Sequence, residues 1–242
     1  MKMSDLRKRY GKLSQRPKGL RFFAELGDEA QQFAISCERE NCDRFDWSDT
    51  EILTGDFKSQ LAEYGFEDTE VYWSLGYCQG DGVAFYGRVD AEDLKKNDSN
   101  VKPLIEQLEA SGDEISIEIT GRNNHYHHWN SMNVEVEFEN EIDDEDLPSR
   151  LKIALPNLRE ELEGYLGDKV SEISRELEKS GYAEIEYRYD ENTIRQELSG
   201  CEHLYEKDGT RAMTEFEFDE WKKTNGEPVS TADLRLMPLE EN

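Results

Sequence analysis

The chain is 242 residues long and carries 56 acidic against 29 basic side chains, a formal net charge of −27, with a hydrophobic fraction of only 36%. That length suffices for one sizeable core, and 10 Phe, 4 Trp and 11 Tyr argue against wholesale disorder. No run of about 18 apolar residues is present, which excludes a membrane-spanning helix.

In chain order, Ser4 to Leu13 reads as a short basic helix, broken at Pro17-Lys18-Gly19. Leu20 to about Cys42 suits a helix with Phe22, Phe23, Leu26, Ala30, Phe33 and Ala34 turned inward. Ser48 or Asp49 is placed to cap the next helix, which runs through Ile52, Leu53, Phe57 and Leu61 to a left-handed stop at Gly65. From Thr69 the period changes to two. Val71, Trp73, Leu75 and Tyr77 alternate, Gln79-Gly80-Asp81-Gly82 turns the chain, and Val83 to Val89 resumes, a strong hairpin signal. Residues 91–111 suit helix with Val101, Leu104, Ile105 and Leu108 inward. Ile115, Ile117 and Ile119 alternate with polar residues as a half-buried strand, and Met132 to Phe138 returns antiparallel after a turn over Gly121 to Asn130. Leu147 to Ser180 is expected to be largely helical, its main segment near 157–180, with Gly181 as its end. Ala183 to Tyr189 then alternates like an extra strand, Asp190 to Leu198 forms a short helix, and Thr214 to Trp221 a further strand or helix. The expected fold class is α+β: an antiparallel sheet built from two hairpins plus an extra strand, with helices packed on one face.

Charge divides the chain. Residues 1–24 hold eight bases and one acid, net +7, and the remainder carries 55 acids and 21 bases, net −34. The expected organisation is a basic arm at 1–24, a single acidic α+β domain at 25–225 and a polar tail at 226–242. The arm is expected to lie on its own acidic body, because such a body repels a duplex at range; the alternative is that it touches nucleic acid or an acidic partner. The densest acidic stretch, Glu135 to Asp146, has eight carboxylates in twelve residues. Glu135, Glu137 and Glu139 alternate with Val134, Val136 and Phe138, so one strand face is apolar and the other carries a charged row. Asp143, Asp144, Glu145 and Asp146 extend it. A second row falls on the long helix at Glu160, Glu161, Glu163, Asp168, Glu172, Glu176 and Glu178. Carboxylates repeated along regular elements approach the spacing of nucleic-acid phosphates, and such a surface suits the basic groove of another protein.

Two further constellations are candidate sites. The Gln79-Gly80-Asp81-Gly82 run lacks the P-loop and EF-hand patterns and suits a tight turn, with Asp81 satisfying backbone amides. Three histidines, His125, His127 and His128, fall within four residues and are expected to form a polar aromatic hairpin tip whose imidazoles hydrogen-bond nearby groups; the alternative is a divalent metal, adventitious or functional, on the strand face that His125 and His127 share. The four cysteines form no CxxC pair or zinc spacing, which fits a reducing compartment. The basic N-terminus lacks the apolar stretch of a signal peptide, so a cytoplasmic location is expected. No signature of nucleophilic catalysis is present, and neither an enzyme activity nor a dedicated cofactor is expected.

The run Val71 to Gly87, VYWSLGYCQGDGVAFYG, resembles a signature of an uncharacterised family of bacteriophage, prophage and plasmid proteins, in which a strand–QGDG–strand hairpin precedes a second, His/Tyr-rich hairpin. His125-Tyr126-His127-His128 and Ser131-Met132 resemble that second element, and Tyr182 to Tyr189, Ile194 and Tyr205 to Gly209 resemble the family's C-terminal segment. The likeness spans roughly residues 70–210 and implies a phage-type context without implying a mechanism.

The expected function is that of an acidic phage-type binding protein that inhibits a host nucleic-acid-binding system, such as a restriction, CRISPR-like or other defence complex, by nucleic-acid mimicry. Its partner is expected to be a protein with a basic nucleic-acid-binding groove, with no direct contact to nucleic acid or membrane. Glu135, Glu137, Glu139, Asp143, Asp144, Glu145 and Asp146 are the candidate contact residues. The alternatives are a ligand- or metal-binding module, or an unrecognised enzyme, at the two hairpin tips (Gln79, Asp81, His125, His127, with Tyr126 or Trp129 as an aromatic wall), and a halophile protein whose acidity serves solubility.

Overall fold

A computed structural model describes residues 16–41, 46–110, 114–121, 126–138 and 149–225. The expected basic helix at Ser4 to Leu13, all of the acidic run after Phe138 and the expected polar tail lie outside the described residues. The fold is α+β, as the periodicity predicts. Strands β1 (Arg21–Phe22), β2 (Glu70–Ser74), β3 (Gly82–Val89), β4 (Ile115–Gly121), β5 (Met132–Phe138), β6 (Leu204–Tyr205) and β7 (Arg211–Met213) form two antiparallel sheets, ordered β2-β3-β4-β5 and β1-β6-β7. The helices are α1 (Asp28–Arg39), α2 (Trp47–Glu63), α3 (Ala91–Asn97), α4 (Lys102–Glu109), α5 (Ser149–Tyr189), α6 (Glu191–Gly200) and α7 (Glu215–Asn225).

The chain forms two compact units, Phe45–Ile185 and the combination of Met1–Arg44 with Glu186–Asn242. This division differs from the arm, body and tail expected from composition, because the residues before and after the larger unit make a core of their own.

In the larger unit, α2 is capped by Asp46, just ahead of the predicted caps. The Asp46 carboxylate accepts from the N–H groups of Ser48 and Asp49, and the Asp49 carboxylate accepts from the Asp46 N–H, a reciprocal box. Leu53, Phe57 and Leu61, at four-residue intervals, bury one stripe of α2. Gly65 follows the helix at φ +87°, a conformation that side chains rarely adopt, with the Asp93 carbonyl oxygen 3.0 Å from where a Cβ would sit, so the predicted left-handed stop is present. In β4 and β5 the parity is clean, while in β3 Val83, Ala84 and Phe85 are all fully buried. Val83, Phe85, Ile115, Ile117, Ile119, Met132, Val134 and Val136 are buried against α2, α4 and α5 side chains, including Ile105, Leu162, Leu166, Val170, Ile173 and Leu177. Each such side chain, fully removed from water, contributes about 1.5–3 kcal/mol before entropy is counted. The opposite parity (Glu70, Tyr72, Tyr86, Arg88, Ser116, Glu118, Thr120, Asn133, Glu135, Glu137) faces out, and most of it is exposed or half-buried.

Two expectations fail locally. Ala183–Tyr189 is not a strand but the last turns of α5, which runs through Gly181 without stopping. A Cβ at Gly181 would lie 2.4 Å from Leu75 Cδ1 and 2.8 Å from Phe57 Cζ, so this glycine serves close helix packing and not termination. Leu20 to Cys42 is not one helix. Arg21–Phe22 pairs with Leu204–Tyr205, a 3-10 turn follows at Phe23–Glu25, and only then does α1 begin.

The smaller unit builds its core from Phe23, Leu26, Ala30, Ala34, Ile35, Ile194, Leu198 and Tyr205, with Phe22, Leu204 and Phe218 beneath α7. Asp190 caps α6 by accepting from the Asn192 and Thr193 N–H groups.

Candidate functional site

The β2–β3 turn is organised by one carboxylate. Asp81 Oδ2 accepts from the N–H groups of Gly76 and Cys78, each at 2.7 Å, and Oδ1 accepts from the Ser74 hydroxyl at 2.7 Å. The Cys78 N–H above all, with the Ser74 hydroxyl and the Gly76 N–H, holds the Asp81 carboxyl below the usual range against the opposing effect of burial. Asp81 therefore shapes its own loop, as the turn reading expects, and its lone pairs are largely spent there. The loop holds Tyr77 at φ +58°, a left-handed conformation rare outside glycine, with its side chain 67% exposed and its ring 4.5 Å from that of Tyr182. Burial raises the pKa of the Tyr182 hydroxyl, and the Tyr77 N–H pulls against that. Gln79 is exposed at the tip of this loop.

The second turn lies against the first. A Cβ on Gly80, at φ +92°, would fall 2.2 Å from Tyr126 Cδ1, and one on Gly82, at φ +151°, would fall 2.8 Å from His128 Cβ and 2.9 Å from the His127 carbonyl oxygen. The glycines of the QGDG run thus let the two tips touch. Strand order explains the meeting: in β2-β3-β4-β5 both hairpin turns fall at the same end of the sheet. Near that end β3 leaves β4. Its pairing with β4 begins at Gly87, and the Phe85 N–H instead donates to Met132 Sδ at 3.3 Å.

The second turn is also internally tied. The Ser131 hydroxyl donates to the His128 carbonyl at 2.7 Å and accepts from the His128 N–H at 3.1 Å, while Tyr86 Oη lies 3.3 Å from Ser131 Oγ. His128 Nδ1 accepts from the Asn130 N–H. His127 stacks on Tyr72 at 5.5 Å and 24°, with its Nδ1 shielded from solvent and unpartnered. The Arg175 guanidinium of α5 lies 4.0 Å over the Trp129 ring, and the Ser171 hydroxyl donates to the Trp129 carbonyl.

The candidate residues separate accordingly. Asp81 and His127 are both brought to the joined tips, while His125 lies outside the described residues. No group of three or more His, Cys, Asp or Glu side chains able to hold a metal occurs among the described residues. Glu135 and Glu137 stand exposed on the outer face of β5; Glu139, Asp143, Asp144, Glu145 and Asp146 lie outside the described residues. Glu135 accepts from the Thr120 hydroxyl and the Asn133 amide, both at 3.2 Å, and lies directly opposite Glu118 in the ladder. The helical row is partly consumed within the fold: Glu163 accepts from the Val136 N–H, Glu172 pairs with Lys169, and Glu176 accepts from the Tyr64 hydroxyl.

Sequence reasoning missed Tyr72, Tyr86, Ser131, Glu118 and Arg175. Parity along β2 and β4 would have found Tyr72 and Glu118; nothing local signals that Arg175 crosses to Trp129.

No helix among the described residues is long and apolar enough to cross a membrane. No curated protein and no solved structure matches the chain. A family model described as a domain of unknown function, DUF8835, matches residues 47–194, which takes in α2, both touching hairpins and all of α5. That is more than half of the chain, and the protein belongs to the DUF8835 family.

Proposed function

We propose that the chain is a binding protein that offers the outer face of its four-stranded sheet to a cationic surface on another protein. The observation that supports this best is the register that sets Glu118 directly opposite Glu135, beside Glu137, on the face turned away from the core. Like charges facing each other across a ladder weaken a strand pair; Arg88 stands across from Glu118 on β3, and the excess of carboxylates toward the β5 edge suits a cation that arrives from outside. The partner is a protein with a basic nucleic-acid-binding groove. Direct nucleic-acid binding is disfavoured by the net charge of −27, which repels phosphates. With the likeness to phage and plasmid proteins, the setting is inhibition of a host defence, restriction or CRISPR-like system in the host cytoplasm. The test is capture from host lysate at low and high salt, with the wild-type chain beside a Glu118→Lys/Glu135→Lys/Glu137→Lys variant. Loss of a salt-sensitive partner in the variant is the expected result; an unchanged captured set would remove the reading.

A second reading, a ligand or metal module, draws on the contact between the tips and on the shielded His127 Nδ1. It predicts stoichiometric divalent metal that disappears in a His125→Ala/His127→Ala double variant, and metal content near zero in the wild type would end it.

A further inference from the structure

The outer sheet face is acidic along β4 and β5 and aromatic toward the hairpin tips, and the two halves ask for different things of a cation. Tyr72 projects from β2 on this face, 48% exposed, with His127 stacked against it and the Tyr86 ring 5.6 Å away. Tyr126, 40% exposed, packs against Gly80 at the rim. Both rings are thus anchored by contacts inside the fold while a large part of each stays in solvent, and neither has much rotamer freedom left to lose when a ligand arrives. A compact, strongly hydrated ammonium also sits over rings but loses more hydration in doing so, whereas a planar, weakly hydrated guanidinium stacks flat on them and gains more.

The protein already makes that contact at the same end of the sheet, where the Arg175 guanidinium covers Trp129 at 4.0 Å. Cations lie over rings elsewhere too: Lys169 over Tyr64, Arg16 over Phe22 and Lys222 over Phe218. Among its described residues the face carries a cation of its own, Arg88, directly across from Glu118, which leaves Glu135 and Glu137 as the carboxylates toward the β5 edge.

We infer that the outer face takes an arginine-bearing segment of its protein partner, with guanidinium groups stacked on Tyr72 and Tyr126 toward the hairpin tips and further basic groups of the same segment met by Glu118, Glu135 and Glu137 along β4 and β5. This rests on the reading of that face as the contact surface, and it adds a discrimination that charge alone does not give: arginine over lysine.

The test uses the full chain and two fluorescein-labelled peptides, hexa-arginine and hexalysine, titrated at about 0.15 M NaCl, where charges beyond about 8 Å are largely screened. Hexa-arginine is expected to bind at least about threefold more tightly, the scale of a single exposed cation–π contact. A Tyr72→Leu/Tyr126→Leu variant, which keeps the apolar cover, is expected to bind both peptides alike, and a Tyr72→Phe/Tyr126→Phe variant to keep the preference. Equal affinity of the wild type for the two peptides, or a preference that survives the leucine variant, overturns the stacking inference and leaves the acidic-surface reading standing. Unchanged binding of both peptides by a Glu118→Gln/Glu135→Gln/Glu137→Gln variant overturns the acidic-surface reading itself. No binding of either peptide overturns both.

Discussion

The Glu163 carboxylate of α5 accepts the backbone N–H of Val136, 3.0 Å away, on a strand that forms the edge of the four-stranded sheet. An open edge donor invites another strand, and here a side chain from the covering helix occupies it. Arg159, at 3.8 Å from the same carboxylate, helps to hold it in place. Glu163→Ala removes the acceptor from a half-buried charge-assisted bond and is expected to cost about 1–2 kcal/mol in urea unfolding. The same variant should self-associate more readily in light scattering. Glu163→Gln keeps an acceptor oxygen and should lose less than half as much. Equal stability and dispersity in all three proteins would mean that the edge does not depend on this bond.

Three glycines of α5 carry opposite expectations. At Gly164 and Gly167 an added methyl group would meet nothing within 4 Å, and helical backbone favours alanine there, so Gly164→Ala and Gly167→Ala should each stabilise by about 0.5–1 kcal/mol. Gly181→Ala meets the buried Phe57 and Leu75, and overpacking of about 1–3 kcal/mol outweighs the helical gain. Thermal unfolding of the three single variants checks the order; a stabilised Gly181→Ala would contradict the close packing.

Gly181 also marks where the sequence ceases to be legible. Both hairpins of the larger sheet follow from alternation at Val71, Trp73 and Leu75 and at Ile115, Ile117 and Ile119, because one buried face imposes a period of two. Gly181 has the same letter whether it ends a helix or admits a neighbour, and only Phe57 and Leu75, far upstream in the chain, decide between them. Phe22 likewise reads as helix core until Leu204 pairs with it from the far end of the chain. In the candidate site, the role of Asp81 was legible because its partners, Ser74, Gly76 and Cys78, are local. The contacts of Gly80 and Gly82 with the second turn were not, since they depend on β3 pairing with β4, which puts both turns at one end of the sheet.

Asp81 should behave as a keystone of the first tip. Asp81→Ala strands the N–H groups of Gly76 and Cys78 and releases Tyr77 from its left-handed conformation, at a cost of about 1–3 kcal/mol. The Asp81 carboxyl is held low in the folded chain, so its contribution is present above its unfolded value of 3.8 and is lost as pH falls through the lower, folded value. The wild type and Asp81→Asn should therefore differ in stability at neutral pH and converge in strong acid. A constant difference from neutral pH down to strong acid would show that the Asp81 charge is not what holds the loop.

His203 gives the smaller unit a pH dependence of the same sense in a higher window. Its Nδ1 accepts the N–H of Glu215, the first residue of α7, at 2.8 Å. Burial above all lowers its pKa from 6.5. Arg211 of β7 lowers it further, while Glu215 of α7 and Glu38 of α1 oppose. Protonation removes the acceptor and sets a positive charge against a helix N-terminus, where positive charge is disfavoured. Because the folded pKa lies below the unfolded one, this contribution is fully present above about pH 6.5 and falls away as pH drops through the folded value. Trp221 stacks on the buried Phe218 within α7, so its fluorescence reports whether α7 stays docked. Between about pH 7.5 and about pH 5, the range in which histidine titrates, urea midpoints read at Trp221 should fall in the wild type by more than in His203→Asn, whose amide oxygen supplies an acceptor that does not titrate. If the two proteins lose the same amount, the carboxylates around α7 and not His203 govern its acid sensitivity.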